Sequence, residues 1–390
     1  MPSICLVAGD PSGDARAAQL VEALRRLQPD VRCSGFGGPA MRQAGVELIE
    51  ELTHTAAIGP FDAAQHLRHF ARVRRRLSDH LRTSHPDLVL LVDFGDFNLP
   101  IVAPLAKQAG CRVVYYVSPQ LWAWGRFRLR WVQRYVDRML VLFKFEEAFY
   151  QRAGVPVTWV GHPLIDAARS SRSREEAINA LGLNPHRMTV GLLPGSRASE
   201  IRRHLPLLLR AAARIAWDMP GVQFLILKTP QADPALFKPL TTQRDIDMIV
   251  VENQIYDGLT AMDAAIVTSG TATLETALLG VPMVVVYRTS WPTYAAAALV
   301  IRVPHIAIVN VLAHTRLVPE FVQHRARPSR VAREIIALLR DETRRHAMRA
   351  GFEQAKEQLG PPGAIERAAR AVLEEIHQHS ARSRETKNNA

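Results

Sequence analysis

Cysteine is scarce in this chain: Cys5, Cys33 and Cys111 are the only three, odd in number and far apart. That excludes a disulfide framework and the close spacing of a cysteine metal site, and reads as reduced thiols in a cytosolic protein. Long apolar runs are missing as well. No stretch approaches the roughly 20 residues that a membrane span needs, and the start, Met-Pro-Ser-Ile-Cys-Leu-Val-Ala, lacks the charged flank and apolar core of a signal peptide. The expectation is a protein that is soluble or rests on a surface. Nucleic-acid modules are also wanting: there is no zinc-finger spacing, no RNP-like aromatic strand and no dense basic arm. The formal net charge of +12 therefore points to an anionic membrane face rather than to nucleic acid.

What is present is a repeated pattern. Apolar runs at Ser3–Ala8, Leu88–Val92, Val113–Val117, Met139–Leu142 and Val157–Val160 alternate with helical periodicity. A second set follows at Thr189–Leu193, Val222–Leu227, Met248–Val251, Ala264–Val267 and Met283–Val286, after the polar segment Ala168–Glu176. Strands spaced by helices predict βαβ units and parallel sheets with right-handed crossovers. The economical reading at 390 residues is α/β: two Rossmann-like domains, residues 1–166 and 167–345, with a ligand cleft between the carboxyl ends of their strands. Helices over 346–379 are expected to pack back on the N-terminal domain, and the polar residues 380–390 to be disordered.

The chain is organised around Thr268-Ser-Gly-Thr-Ala-Thr-Leu-Glu275, which reads as strand, tight turn, helix. Free N–H groups at such a helix start stabilise a phosphate or diphosphate, which makes Ser269, Gly270, Thr271 and Ala272 candidate nucleotide-binding residues. Glu275 lies one turn in. It accepts from ribose hydroxyls in one reading and is a solvated helix residue in the other. Gly191-Leu-Leu-Pro-Gly-Ser-Arg197 repeats the strand-to-loop logic and ends in an arginine whose fork suits phosphate oxygens; an arginine beside a helix start is also often merely exposed. In the first half, Gly9-Asp-Pro-Ser-Gly-Asp14 places Asp10 and Asp14 where they meet sugar hydroxyls, though helix capping alone would also explain Ser12 and Asp14.

These turns belong to a longer series. Ala8-Gly9…Ser12-Gly13-Asp14, Gly35…Gly37-Gly38-Pro39…Met41, Asp93…Asp96-Phe97-Asn98, Tyr116-Val117-Ser118-Pro119…Trp122-Ala123-Trp124, Phe145-Glu146…Phe149-Tyr150, Val160-Gly161-His162-Pro163, Leu193-Pro194-Gly195-Ser196-Arg197…Glu200, Ser269–Glu275, Pro282-Met283-Val284-Val285…Tyr287-Arg288, Asn310-Val-Leu-Ala313 and Val318-Pro-Glu320 run in order over nearly the whole chain. Together the series resembles the lipid A disaccharide synthases. The resemblance implies a GT-B glycosyltransferase, inverting and metal-independent, with no cofactor beyond its UDP-sugar donor. The implied reaction joins a 2,3-diacylglucosamine from UDP to the 6-hydroxyl of 2,3-diacylglucosamine 1-phosphate. Arg197, Glu275 and Asn310 then fall on the nucleotide side; Asn310 is otherwise a helix cap. Asp96 matches the family's carboxylate base, Asp10 stands where the family has Glu, and His162 is the competing base or a structural hinge residue. Other departures are Asp62 for Glu, Gly95 for Pro and Lys144 for Pro, which bear on acceptor geometry and activity.

Diacylated substrates call for an apolar entrance. Over Ala63–Arg82, Leu67, Phe70, Leu77 and Leu81 share one helical face, while Arg68, Arg72, Arg75, Arg76 and Arg82 crowd around it. This is the pattern of a helix lying among anionic headgroups of the inner membrane, or of an ordinary amphipathic helix packed on its own domain. Trp122 and Trp124 line the same entrance or fill the core, and Tyr294–Val300 reads as a buried helix. The expected partners are acylated glucosamines, an anionic membrane surface and, as a further option, a second copy of the chain. Two other classes fit the pattern: another UDP-sugar GT-B enzyme such as a UDP-N-acetylglucosamine 2-epimerase, or a non-catalytic lipid- or nucleotide-binding homologue.

Overall fold

A computed structural model describes residues 1–52, 63–229, 232–242, 246–300 and 303–388, without side chains at 63–68, 239–242, 296, 299–300 and 380–388. Contacts divide it into two units, Met1–Pro163 with Leu359–Ala390, and Leu164–Gln358.

The first unit carries a seven-stranded parallel sheet: β1 (Ser3–Ala8), β2 (Arg32–Gly37), β3 (Glu47–Glu51), β4 (Leu88–Val92), β5 (Arg112–Tyr116), β6 (Arg138–Val141) and β7 (Val157–Trp159), in the order β3-β2-β1-β4-β5-β6-β7. In the second, β8 (Thr189–Leu193), β9 (Gln223–Lys228), β10 (Met248–Glu252), β11 (Ala264–Thr268), β12 (Met283–Tyr287) and β13 (Glu320–Val322) pair in parallel in the order β10-β9-β8-β11-β12-β13. Both are the same doubly wound order, which reverses between β1 and β4 and between β8 and β11. Ligands of such sheets lie outside the carboxyl ends of the strands at that reversal.

The central strands β1, β4, β5, β8 and β11 are buried almost throughout, which is why they read as unbroken apolar runs. The three strands that escape the sequence pattern lack that signature: β2 is Arg-Cys-Ser-Gly-Phe-Gly, β3 is Glu-Leu-Ile-Glu-Glu at a sheet edge, and β13 has only three residues. The cysteines are free and buried, and burial pushes the Cys5 thiol up to about 12.

The C-terminal helices are shared out. Helices Pro328–Arg340 and Glu342–Glu357 lie in the second unit, and only residues from Leu359 lie in the first. There Ala368, Ala369, Val372 and Ile376 pack with Leu20, Val21 and Leu24. Buried Glu375 pairs with Arg138 Nε at 2.5 Å and Arg112 Nη2 at 2.7 Å. Backbone helix continues to Asn388, so the tail expected to be without structure is helical over most of its length. The polar segment after the first domain is pinned rather than loose: Ser170 Oγ donates to Asp257 at 2.7 Å and Arg172 Nη1 pairs with it at 2.5 Å.

Helix Ala63–Ser84 corrects the insertion reading. Val73, Leu77 and Leu81 are buried in the core of the first unit, and Phe70 lies 5.2 Å from the Phe97 ring. Core burial has claimed Leu77 and Leu81 of the apolar face and part of Phe70. Arg72, Arg74, Arg75 and Arg76 remain exposed on the other face. The Leu67 and Arg68 side chains, and Asp62 altogether, lie outside the described residues. Helix Trp291–Val300 also departs from expectation: Trp291, Ala295 and Ala298 are exposed, and exposing an alanine costs little.

Candidate active site

In the first unit the predicted residues gather at the carboxyl ends of β1, β4 and β7. After β4 the backbone turns with Asp93 and Phe94 both left-handed, at φ 50° and 49°. Val117, at the end of β5, is a β-branched residue at φ 66°. Such strain persists only where surroundings fix it, and it is typical of functional loops. Here the fixing groups are visible. Tyr115 hydroxyl donates to Asp93 O at 2.5 Å, Asn98 Nδ2 donates to the same oxygen at 2.9 Å, and Asp93 N–H donates to Tyr116 O at 3.0 Å.

The acids of this region divide by what they touch. Asp14 is buried and accepts from the N–H groups of Gly38, Ala40 and Met41 at 2.8–3.1 Å; it caps the short helix Pro39–Gln43. Asp10 caps helix Pro11–Leu27 through Gly13 N–H at 3.1 Å. Asp93 accepts from Phe94 N–H at 2.9 Å and meets Arg16 at 3.5 Å. Asp96 is different: its side chain is 71% exposed and paired with Arg128 Nη1 at 2.5 Å. Gly95 opens the short helix Gly95–Phe97 that carries Asp96 and gives it a close neighbour, since a Cβ there would stand 2.7 Å from Pro119 Cβ. At Lys144, the other described departure, Nζ lies 5.7 Å from the centre of the Trp159 ring.

His162 follows β7 and is buried, with its ring 5.3 Å from that of Phe143 and its backbone N–H donating to Leu359 O at 2.7 Å. Burial, reinforced by the Arg16 charge, pushes its pKa down to about 3. An imidazole so weakly basic and so enclosed suits a structural role at this crossing better than proton abstraction.

In the second unit the turn after β11 forms as the sequence predicts, with helix Thr271–Leu278 following it. Gly270 has φ +156° and ψ −163°, a region almost reserved for glycine, and nothing lies within 4 Å of where its Cβ would be; its identity is a backbone requirement. Ser269 Oγ donates to Ile306 O at 3.0 Å, Thr271 is exposed, and Ala272 is partly buried. Glu275 is neither solvated nor free of partners: Tyr256 hydroxyl donates to it at 3.1 Å, and burial raises its pKa.

After β8, Glu200 reaches back to the N–H groups of Ser196 and Arg197 at 3.2 and 3.3 Å. This closes the turn and leaves the Arg197 side chain 77% exposed. Asn310 is buried and is not a cap. Its amide donates to Val318 O at 2.9 Å and Glu320 Oε1 at 2.7 Å, and its oxygen accepts from Val318 N–H at 2.8 Å. Its polar atoms are thus engaged within the fold rather than offered to a ligand. Among the described residues, no cluster of three or more His, Cys, Asp or Glu is arranged to hold a metal ion.

Sequence reasoning gave no role to Arg128, Tyr115, Tyr256 or Glu320. Only Glu320 fell in a quoted motif; the others reach the site through tertiary contacts.

The model of the lipid-A-disaccharide synthetase family matches residues 4–374. The chain belongs to that family. A lipid-A-disaccharide synthase of Geobacter metallireducens is 42% identical over 371 residues, covering 95% of this chain and 96% of its own. One from Nitrosococcus oceani is 41% identical over 359 residues, 92% of each chain. Among solved structures, the MnaA–UDP co-structure from S. aureus has a TM-score of 0.64 at 12% identity, covering 97% of both chains. The UDP-GlcNAc 2-epimerase of Neisseria meningitidis bound to UDP-GlcNAc has a TM-score of 0.62 at 14% identity, covering 97% of this chain and 100% of that one. Such distant likeness shows the fold alone, and that fold is GT-B. As a member of the lipid-A-disaccharide synthases the chain is a glycosyltransferase of lipid A biosynthesis, which sets aside the epimerase reading. No helix among the described residues is long and apolar enough to cross a membrane.

Proposed function

We propose that the family's reaction, transfer of 2,3-diacylglucosamine from UDP to the 6-hydroxyl of 2,3-diacylglucosamine 1-phosphate, runs here with Asp96 as general base. The observation that carries this reading is the contrast among the acids after β1 and β4. Asp14 and Asp93 are tied to the backbone and Asp10 caps a helix, whereas Asp96 presents an exposed carboxylate held on one side by Arg128. Inversion in a single displacement requires such a base within reach of the attacking hydroxyl.

On the donor side, the diphosphate is assigned to the N–H groups of Thr271 and Ala272 with the Arg197 guanidinium beside it, and Glu275 to the ribose. Helix-start N–H groups and an arginine stabilise negative charge as it grows on departing UDP. The residues therefore have a way to stabilise the leaving group without a metal. Asp10 is assigned to orient the acceptor, and the exposed arginines Arg72, Arg75 and Arg76 to hold the protein against anionic lipid where its acylated substrates reside. Phe70 and Leu77 serve the core.

The test is Asp96→Asn, assayed for UDP release from the two diacyl sugars. Turnover is expected to fall by roughly 10²–10⁴-fold with UDP affinity retained. Full activity in that variant would refute the assignment.

A further inference from the structure

One buried acid at the carboxyl end of the first sheet has no part in the reaction as described. Glu146 is the third residue of helix Lys144–Arg152, directly after β6. Its placement begins as ordinary capping: Phe143 N–H donates to Oε2 at 3.2 Å, which satisfies one of the free donors at the helix start. A cap of this kind is served equally well at the surface. This one is 3% exposed, and burial pushes its pKa up to about 7 despite the hydrogen bonds that hold it down.

Its other oxygen faces the segment that follows β5. Trp122 Nε1 donates to Oε1 at 3.2 Å, and the Trp122 ring meets that of Phe145 edge to face at 4.9 Å. The near end of the segment is held from the same helix, because Ser118 Oγ and the Tyr150 hydroxyl are 2.7 Å apart. The far end reaches the proposed base. Arg128 lies with its guanidinium 4.7 Å from the centre of the Trp124 ring, and its Nη1 is 2.5 Å from Asp96 Oδ1.

We propose that Glu146 is a positioning residue: by holding Trp122 it anchors the segment through Arg128, and so fixes the guanidinium that aims the Asp96 carboxylate. The inference rests on the reading of Asp96 as base. Asp96 lies in the first turn of the short helix Gly95–Phe97. An exposed aspartate there explores several rotamers, and a guanidinium held by a ring stack selects one of them while leaving the second oxygen for the hydroxyl. Arg128 can do this only if its own segment is fixed; the Ser118–Tyr150 contact holds the near end, and Glu146 holds Trp122, the polar anchor nearer Arg128.

The test is a double-mutant cycle read in kcat with the two diacyl sugars. Glu146→Gln keeps the volume but replaces one acceptor oxygen by a donor, so it cannot serve both the Trp122 and Phe143 N–H groups. Glu146→Gln and Arg128→Ala should each lower kcat by about 10–100-fold. The double variant should then be no slower than Arg128→Ala, because both changes release the same carboxylate. Losses that multiply would overturn the proposal, as would wild-type kcat in Glu146→Gln. If Glu146→Gln does not fold, Trp122→Phe enters the same cycle with the same two readings, since it removes only the indole N–H and keeps a ring against Phe145. Asp96→Asn separates the two levels. An active Asp96→Asn ends both the base assignment and this inference, whereas an inactive one with multiplying losses ends only the role given to Glu146.

Discussion

Asn310 Nδ2 donates to Glu320 Oε1 at 2.7 Å, and the same carboxylate accepts from the N–H groups of Ile306 and Ala307 at 3.1 and 3.0 Å. Because Ser269 Oγ is bonded to Ile306 O, the loop before helix Ile308–Ala313 links this buried pair to the turn assigned to the diphosphate. Asn310→Ala strands the Val318 N–H and C=O groups and part of Glu320. Unfolding in denaturant should show a loss of about 2–4 kcal/mol, the usual penalty for two or so buried polar groups left unpaired. A variant of unchanged stability that bound UDP weakly would instead make Asn310 a nucleotide contact.

Arg197 tests the donor side from the other loop. Its side chain is exposed, while its N–H is already taken by Glu200, so Arg197→Ala should leave the fold alone. UDP affinity, measured by calorimetry, should drop by about 1.5–3 kcal/mol, the worth of a hydrogen bond to a charged group. Wild-type affinity would remove Arg197 from the site.

Two buried groups give stability an opposed dependence on pH. Glu146 is raised from 4.5 to about 7, so what it contributes is complete below pH 4.5 and is lost as pH rises through 7. His162 is lowered from 6.5 to about 3, so its contribution is complete above pH 6.5 and is lost as pH falls through 3. Between pH 4.5 and 6.5 the two slopes oppose each other. Thermal melts of Glu146→Gln should therefore show Tm rising more steeply with pH over that range than in the wild type. His162→Gln should flatten the rise, and identical profiles in all three would contradict the buried, shifted state of both groups.

The two faces of helix Ala63–Ser84 should separate in experiment. Reversing Arg72, Arg75 and Arg76 to Glu is expected to release the protein from anionic vesicles while the fold persists, and added salt should release the wild type, because exposed charges are screened beyond about a Debye length. Leu77→Ala should cost about 2–5 kcal/mol of stability, since Leu77 is buried in the core. Cosedimentation that ignores both salt and charge reversal would place the membrane contact elsewhere.

Much of this molecule is decided locally. The runs of β1, β4, β5, β8 and β11 announce strands buried on both faces, and the turns after β1, β8 and β11 are legible because proline, glycine and a capping side chain act within a few residues. Asp10 capping Gly13 and Glu200 reaching back to Ser196 are bonds of that kind. The order of the motifs along the chain was sufficient for the family. Which polar groups are left over for chemistry is settled only by tertiary structure. Asp14 spends its carboxylate on the start of another helix, Asn310 its amide on the approach to β13, and Asp93 its carboxylate on the Phe94 N–H and Arg16, whereas Asp96 and Arg197 stay exposed. The amphipathic face of Ala63–Ser84 has the same period whether it meets lipid or protein, and the hydrophobic effect has no direction by which the sequence could tell them apart. Glu146 shows the limit best: in the sequence it is one member of a motif, and only packing against Trp122 makes this helix-start acid a buried one behind the proposed base.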